Sequence, residues 1–388
     1  MTSESCSVNI RLVMVGGGHA HLSVLRALAN RRPLGVEVAL VTPTRYLHYP
    51  DMLSGWVAGH YPLSACRVDL QPLAEAAGVR LVLTQMAGMD ADRRCVALKD
   101  GQQIEYDLLS LDVGSETNTS WLEVLGTKLL PIKPLDSFFI HWPHILAAAK
   151  ARPGYQLVVV GGGTVGVEMA LAALFAFDQA GVAGRVELVA SESGLLPGHA
   201  PGIRARVQRL VRRTGLGLHF SHGVGTEAGV LLSDGMLLPA DKVIAATGAR
   251  APIWLGMAKL AVDSDGYLLV DKYHRSVTHP NVFAVGGVCA RHDVLLSRSG
   301  VRSAHSGATL AHNLLATLRG GVLQSYTPKP RAPYLLACGP QYAVVSWGRW
   351  SAEGRWVWRW KDWIDRRFIR RFATSGQLST AQMQEHTP

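Results

Sequence analysis

LVMVGGGHAHLSVLRAL, residues 12–28, carries the fold. An apolar run ends in Gly16-Gly17-Gly18 and an amphipathic stretch follows, so the order is strand, tight turn, helix. A dinucleotide fingerprint G-x-G-x-x-G places its third glycine at position 21, where this chain has His21. Gly16 and Gly18 keep the turn and the close-approach positions. His21 either packs as a buried, hydrogen-bonded ring or reaches a cofactor, and the sequence leaves both open. The stretch Val36–Val41 supplies the second strand of a βαβ unit. Thr42 ends that strand, where an acidic residue would hold a ribose diol.

The pattern returns in VVVGGGTVGVEMA, with Gly161, Gly163 and Gly166 at the full spacing. The first glycine makes the turn, the second admits a diphosphate, and the third lets helix and strand pack. Free amides at the start of the helix then face the phosphates. A strand follows at Val186–Val189 and ends at Ala190, again without an acid, although Ser191 and Glu192 stand beside it. Neither strand end separates NADH from NADPH. The run Leu157–Phe177 has 21 residues and one charge, Glu168, and matches a membrane span in length. Its glycines argue for a buried strand, a turn and a buried helix instead.

Further strands are expected at Leu81–Leu83, Leu108–Leu111, Lys242–Ala245 and Val282–Val285. The last three run into DVGS, ATGA and GGVC. Ligands of open parallel sheets lie beyond the carboxyl ends of the strands, so these ends are candidate cofactor sites. The whole is expected to be an α/β protein with two Rossmann-like dinucleotide-binding domains. PKPRAP (328–333) reads as a linker to a small C-terminal domain with an amphipathic helix.

With 388 residues, 48% hydrophobic and 40 glycines, the chain has the composition of a multidomain globular protein. The five cysteines are scattered without a C-x-x-C or zinc spacing, which argues against a disulfide framework, a dithiol redox centre and a structural metal site. The start, MTSESCSVNIR, has no signal-peptide layout and reads as cytoplasmic. About half of the net charge of +10 lies between Gly354 and Phe372, where seven Lys and Arg meet two Asp. A general nucleic-acid surface is therefore not expected. Six of the ten tryptophans fall between Trp347 and Trp363. Drawn as a helix, 354–372 puts Trp356, Val357, Trp360, Trp363, Ile364 and Phe368 on one side, with charges opposite. That is the composition of a helix lying in a membrane interface. Burial against the protein or pairing as a homodimer would use the same face.

GGGHAH, TGARAPIWL, VDKYHRSVTHPNVFAVGG and EGRWVWRWKDWIDRRF together resemble the two-dinucleotide flavoproteins of the pyridine nucleotide-disulfide oxidoreductase superfamily. They resemble type II NADH dehydrogenases in particular. They are most similar to the flavoprotein domain associated with selenide, water dikinase. The resemblance implies an FAD domain in two pieces, 1–117 and 269–328, an inserted NAD(P)H domain at 118–268, and a C-terminal region at 329–388. It assigns Gly16, Gly17, Gly18, His19, His21, Thr42, Gly114, Ser115, Gly286 and Gly287 to FAD. To NAD(P)H it assigns Gly161, Gly163, Thr164, Val165, Gly166 and Gly248. Glu168 becomes the catalytic candidate beside the nicotinamide. No metal is implied.

Hydride would pass from nicotinamide to flavin and electrons on to a quinone-like acceptor, without a redox-active disulfide. The C-terminal helix would hold the protein at the inner face of the membrane. Related flavoproteins carry A-G-D where this chain has Val285-Gly286-Gly287, and A-T-G where it has Asp112-Val113-Gly114. Where such proteins have a glutamine-rich segment near the quinone, this chain has Ala304-His305-Ser306-Gly307. The missing aspartate would hold the ribityl chain, and its loss costs ~1.5–3 kcal/mol, or one to two decades of affinity. The alternative is a degenerate flavoprotein fold acting as a partner domain, linked to selenium metabolism. A sulfide:quinone chemistry would need Cys289 and Cys338 to meet at the flavin.

Overall fold

The computed structural model describes residues 9–294, 300–328, 333–348 and 350–373, with backbone only at 300–304. Residues 1–8, most of the linker (329–332) and the end of the C-terminal region (374–388) lie outside the described residues.

The chain runs β1 (Ile10–Val15), α1 (His19–Asn30), β2 (Val36–Thr42), α2 (Leu70–Ala77), β3 (Arg80–Leu83) and β4 (Leu108–Leu111). It continues through β5 (Leu129–Pro131), α3 (Leu135–Ala151), β6 (Tyr155–Val160), α4 (Thr164–Gln179) and β7 (Gly184–Ala190). Next come α5 (Pro201–Arg213), β8 (Gly217–Phe220), β9 (Lys242–Ala245), β10 (Val282–Ala284) and α6 (Gly300–Leu318). A C-terminal unit follows: β11 (Tyr334–Ala337), β12 (Ala343–Trp347), β13 (Trp350–Gly354) and α7 (Arg355–Phe372).

Two five-stranded sheets have the same plan, in the orders β10-β4-β1-β2-β3 and β5-β9-β6-β7-β8. Every neighbouring pair in both is parallel. Each unit also carries a small antiparallel meander before its last inner strand. The first is Met86–Asp90, Cys95–Leu98 and Gln103–Glu105; the second is Gly223–Gly225, Gly229–Leu232 and Leu237–Pro239. The repeat is therefore deeper than the two βαβ units. The late strand β10 returns to pair with β4 at the edge of the first sheet.

The run 157–177 divides into β6 and α4, turned by Gly161 at φ +134°. α4 is buried on most sides, which explains apolar composition all round without a span. Among the described residues no helix is long and apolar enough to cross a membrane.

α7 forms where expected but turns another way. Its inward stripe is Val357, Lys361, Asp365, Phe368 and Phe372, spaced by four or three residues. Trp356 and Trp363, expected on a common apolar face with Val357 and Phe368, are 52% and 55% exposed. The helix rotated so because Phe368 and Ile369 fill the seam between the cores of the two units. It buries Lys361 and Asp365 as an ion pair of 2.7 Å.

Candidate nucleotide sites and a buried charge cluster

At the second turn, a Cβ on Gly161 would stand 2.2 Å from the carbonyl oxygen of Ala246, at the end of β9. A Cβ on Gly166 would stand 1.8 Å from the oxygen of Gly161, so only glycine lets helix and strand meet. In front lies a cleft of about 400 Å³ lined by Gly161, Gly163, Thr164, Val165 and Gly248. Gly166 packs behind it, as its place in the fingerprint implies. The cleft also takes Trp121, Ser191, Ser221 and His222, of which only Ser191 had a sequence signal, from its place at a strand end.

The first turn uses the same backbone. Gly16 has φ +94°, and a Cβ there would lie 2.4 Å from the oxygen of Asp112 at the end of β4. His21 stands where Gly166 stands in the copy. Its Nδ1 meets Gly16 O at 2.6 Å and its Nε2 meets Ser110 Oγ at 2.8 Å. Both ring nitrogens are thus committed to protein atoms, and burial lowers the pKa and keeps the ring neutral. His21, expected beside a cofactor, is a packing residue. It occupies the carbonyl that the third glycine would otherwise approach.

Asp112 is the larger change. Its Oδ2 accepts from Ala20 N at 2.8 Å and from His21 N at 3.4 Å, so a neighbouring strand caps α1. His19 opens the helix between the rings of Tyr49 and Phe368, 5.5 and 5.4 Å away. Its Nε2 is buried and has no hydrogen-bond partner. Thr42 is buried at the end of β2, and its hydroxyl donates to Thr44 O at 3.2 Å. Gly114, at φ +75°, borders open space, while a Cβ on Gly287 would press 3.0 Å from Ser115 N. An aspartate at 287 would therefore displace Ser115. Gly286 starts the short turn there at φ +77°.

Glu168 does not line the nucleotide cleft. It projects from α4 toward the C-terminal unit, and its Oε1 accepts from Ala337 N at 2.7 Å. Burial pushes its carboxyl up to about 7, opposed by the ammonium of Lys361. Asp365 is likewise pushed to about 7 by burial, again opposed by Lys361. Burial alone would lower Lys361, but Asp365, Glu168 and Asp51 together hold it protonated. Lys361 Nζ also donates to the carbonyl of Asp51. One ammonium thus stands among three carboxylates at the seam of both units and the C-terminal unit. Residue order does not point to Lys361, and it puts Asp365 among the charges opposite the tryptophans.

Residues 10–312 match the family described as pyridine nucleotide-disulphide oxidoreductase. The chain belongs to that family. An NADH dehydrogenase-like protein of Mycobacterium tuberculosis (strain CDC 1551 / Oshkosh) is 30% identical over 298 residues, 72% of this chain and 73% of the relative. A probable ferredoxin reductase of Castellaniella defragrans is 25% identical over 346 residues, covering 84% and 79%. The fold matches the sulfide:quinone oxidoreductase of Aquifex aeolicus with a TM-score of 0.75 at 17% identity, covering 96% and 95%.

As a family member the protein is an FAD-dependent NAD(P)H oxidoreductase, and FAD and NAD(P)H are its cofactors. The residues fit both groups. The second turn fronts an open cleft, and a Cβ on Gly163 would meet nothing within 4 Å. The first has an unpartnered imidazole at His19 and open space at Gly114. Among the described residues Cys66, Cys95, Cys289 and Cys338 form no disulfide.

Proposed function

We propose that the protein passes electrons from NAD(P)H through FAD to a quinone-like acceptor at a membrane surface, without a cysteine intermediate. One observation carries this reading. The inner face of α7 places Lys361 and Asp365 beside Glu168, while its outer face exposes Trp356 and Trp363 among arginines. A proton-holding cluster and a lipid-compatible surface share one helix.

In this reading 1–117 and 269–328 form the FAD domain, 118–268 the NAD(P)H domain and 329–388 the membrane-facing region. Gly16, Gly17, Gly18, His19, Thr42, Gly114, Ser115, Gly286 and Gly287 border FAD. Gly161, Gly163, Thr164, Val165 and Gly248 border NAD(P)H. When bound, NAD(P)H would supply the hydride and FAD the chemistry that takes up two electrons and passes them on. The chain's own part is to orient both groups and to manage protons. Glu168, poised near neutral pH, holds a proton at its carboxyl, and Lys361 keeps its own while pairing with Asp365.

The test is an absorbance spectrum of the purified protein, then anaerobic NADH or NADPH, then a short-chain quinone or a ferredoxin. Flavin bleaching by one nucleotide and recovery with quinone are expected. Absence of a flavin spectrum after FAD addition would overturn the cofactor assignment, and recovery only with ferredoxin would overturn the quinone. The surface has its own test: W356A/W363A should lower sedimentation with anionic liposomes at least about threefold. Unchanged sedimentation removes the membrane role.

A further inference from the structure

His19 in the first unit and Thr164 in the second hold equivalent positions, each opening the helix that follows a glycine turn. Their surroundings differ. Thr164 lines the open cleft of about 400 Å³ in front of α4. His19 is 8% exposed and lies under two aromatic rings, that of Tyr49 at 5.5 Å and that of Phe368 at 5.4 Å. Those two rings stack on each other at 4.5 Å, 13° from parallel. The second turn is left uncovered and the first is roofed.

Half of that roof comes from outside the repeat. Phe368 belongs to α7, and with Ile369 it packs against the cores of both units, while Phe372, one turn on, is buried in the core of the first. Tyr49 is anchored within the first unit, where its backbone N–H donates to Cys66 O at 2.8 Å and its hydroxyl to Asp51 Oδ2 at 3.2 Å. Lys361 of α7 donates to the carbonyl of the same Asp51, so strand segment and helix are tied together. The seat of α7 is not wholly apolar, since Lys361 and Asp365 lie in it as a buried pair of 2.7 Å. A helix seated partly through buried charge is held less firmly than one seated through an apolar stripe. Beneath the roof, His19 Nε2 is buried without a hydrogen-bond partner. Such an atom is costly until a polar ligand meets it.

We propose that α7 is a strap across the first glycine turn, with Phe368 as its positioning residue, and that it retains FAD there while the uncovered second turn exchanges NAD(P)H. The proposal rests on the reading that the first turn carries FAD. Phe368 acts through His19 and Tyr49, whose rings it fixes at the head of α1. Linkage makes the effect reciprocal, so bound FAD holds the strap as the strap holds FAD.

Hydrogen exchange of the full chain, with and without FAD, tests the strap in the wild type. Amides of 361–372 should exchange at least about tenfold more slowly with FAD, while those of α5 in the second unit change by less than about twofold. Release of FAD is then followed by the rise of flavin fluorescence on dilution. F368A should release it about 10- to 100-fold faster and F368L within about threefold of wild type, because leucine keeps most of the apolar bulk. NAD(P)H affinity should stay within about twofold in both, a split that a general loss of packing would not produce. Exchange of α7 indifferent to FAD, or FAD release from F368A within twofold of wild type, would overturn the strap while FAD binding stands. If F368A does not fold, the wild-type exchange decides alone. A wild type that binds no FAD overturns the cofactor assignment as well, which separates the two failures.

Discussion

Gly16 and Gly161 make one turn twice, each pressed on the carbonyl at the end of the neighbouring strand, yet the helices behind them meet an anion on different terms. At α4 the neighbouring strand ends in Ala246 and the turn opens on a cleft lined by hydroxyls and Trp121. At α1 it ends in Asp112, whose carboxylate takes two amides at the head of the helix. The third-glycine position differs too, since Gly166 yields to backbone while His21 reaches back and bonds it. A strand, turn and helix set the shape of a dinucleotide site. Its charge is set by whichever residue the next strand brings alongside.

The largest effect should follow from G166V, which forces atoms into the oxygen of Gly161. NAD(P)H affinity should fall by about 100-fold or more, with a lower melting temperature. Titration showing affinity within threefold of wild type would break the equivalence of the two turns. H21G makes the first turn match the second in sequence, yet it should destabilise. It strips the Gly16 carbonyl and the Ser110 hydroxyl of their partner and leaves a ring-sized void, about 3–5 kcal/mol together. Denaturant unfolding gives the value, and a stabilised H21G would mean that the turn is a damaged fingerprint after all.

Glu168 belongs to the second unit alone and adds a pH dependence that the first lacks. Its folded-state pKa of about 7 lies above the usual carboxyl value, so the folded protein binds the extra proton. That contribution to stability is complete below the unfolded pKa and is lost as pH rises through about 7. It amounts to at most about 3 kcal/mol. E168Q should lessen the slope of the stability profile between pH 5 and 8, leaving the share that Asp365 contributes, and remove one ionisation near neutrality from the rate profile. A wild-type profile already flat there would contradict the buried carboxyl. The smallest effect is expected from D112A. Loss of the cap costs about 1 kcal/mol, while two freed amides should tighten FAD by up to about tenfold. Weaker FAD binding in D112A would show that Asp112 serves the cofactor rather than competing with it.

Much of this could be read from residue order. The strands at 108–111 and 242–245 have the expected bounds, and the others differ by one or two residues at one or both ends, because apolar β-branched runs bounded by glycines are strong local signals. The two meanders are not legible in residue order, since short half-exposed strands such as Gln103–Glu105 have neither length nor alternation. The helix at 355–372 was legible from its residues, but its orientation was not. Hydrophobicity put the tryptophans inward, whereas the seam selected Phe368 and Phe372 and buried Lys361 and Asp365 with them.

By itself the sequence determined the two parallel units, the turns that open them and the family to which they belong. Each rests on contacts between residues close along the chain or on steric demands only glycine meets. Tertiary structure alone decided that His21 packs, that Glu168 faces the C-terminal unit, and that the Asp112 side chain caps α1. Electrostatics depends on distance and burial, and the partners that fix both come from segments far apart in the chain.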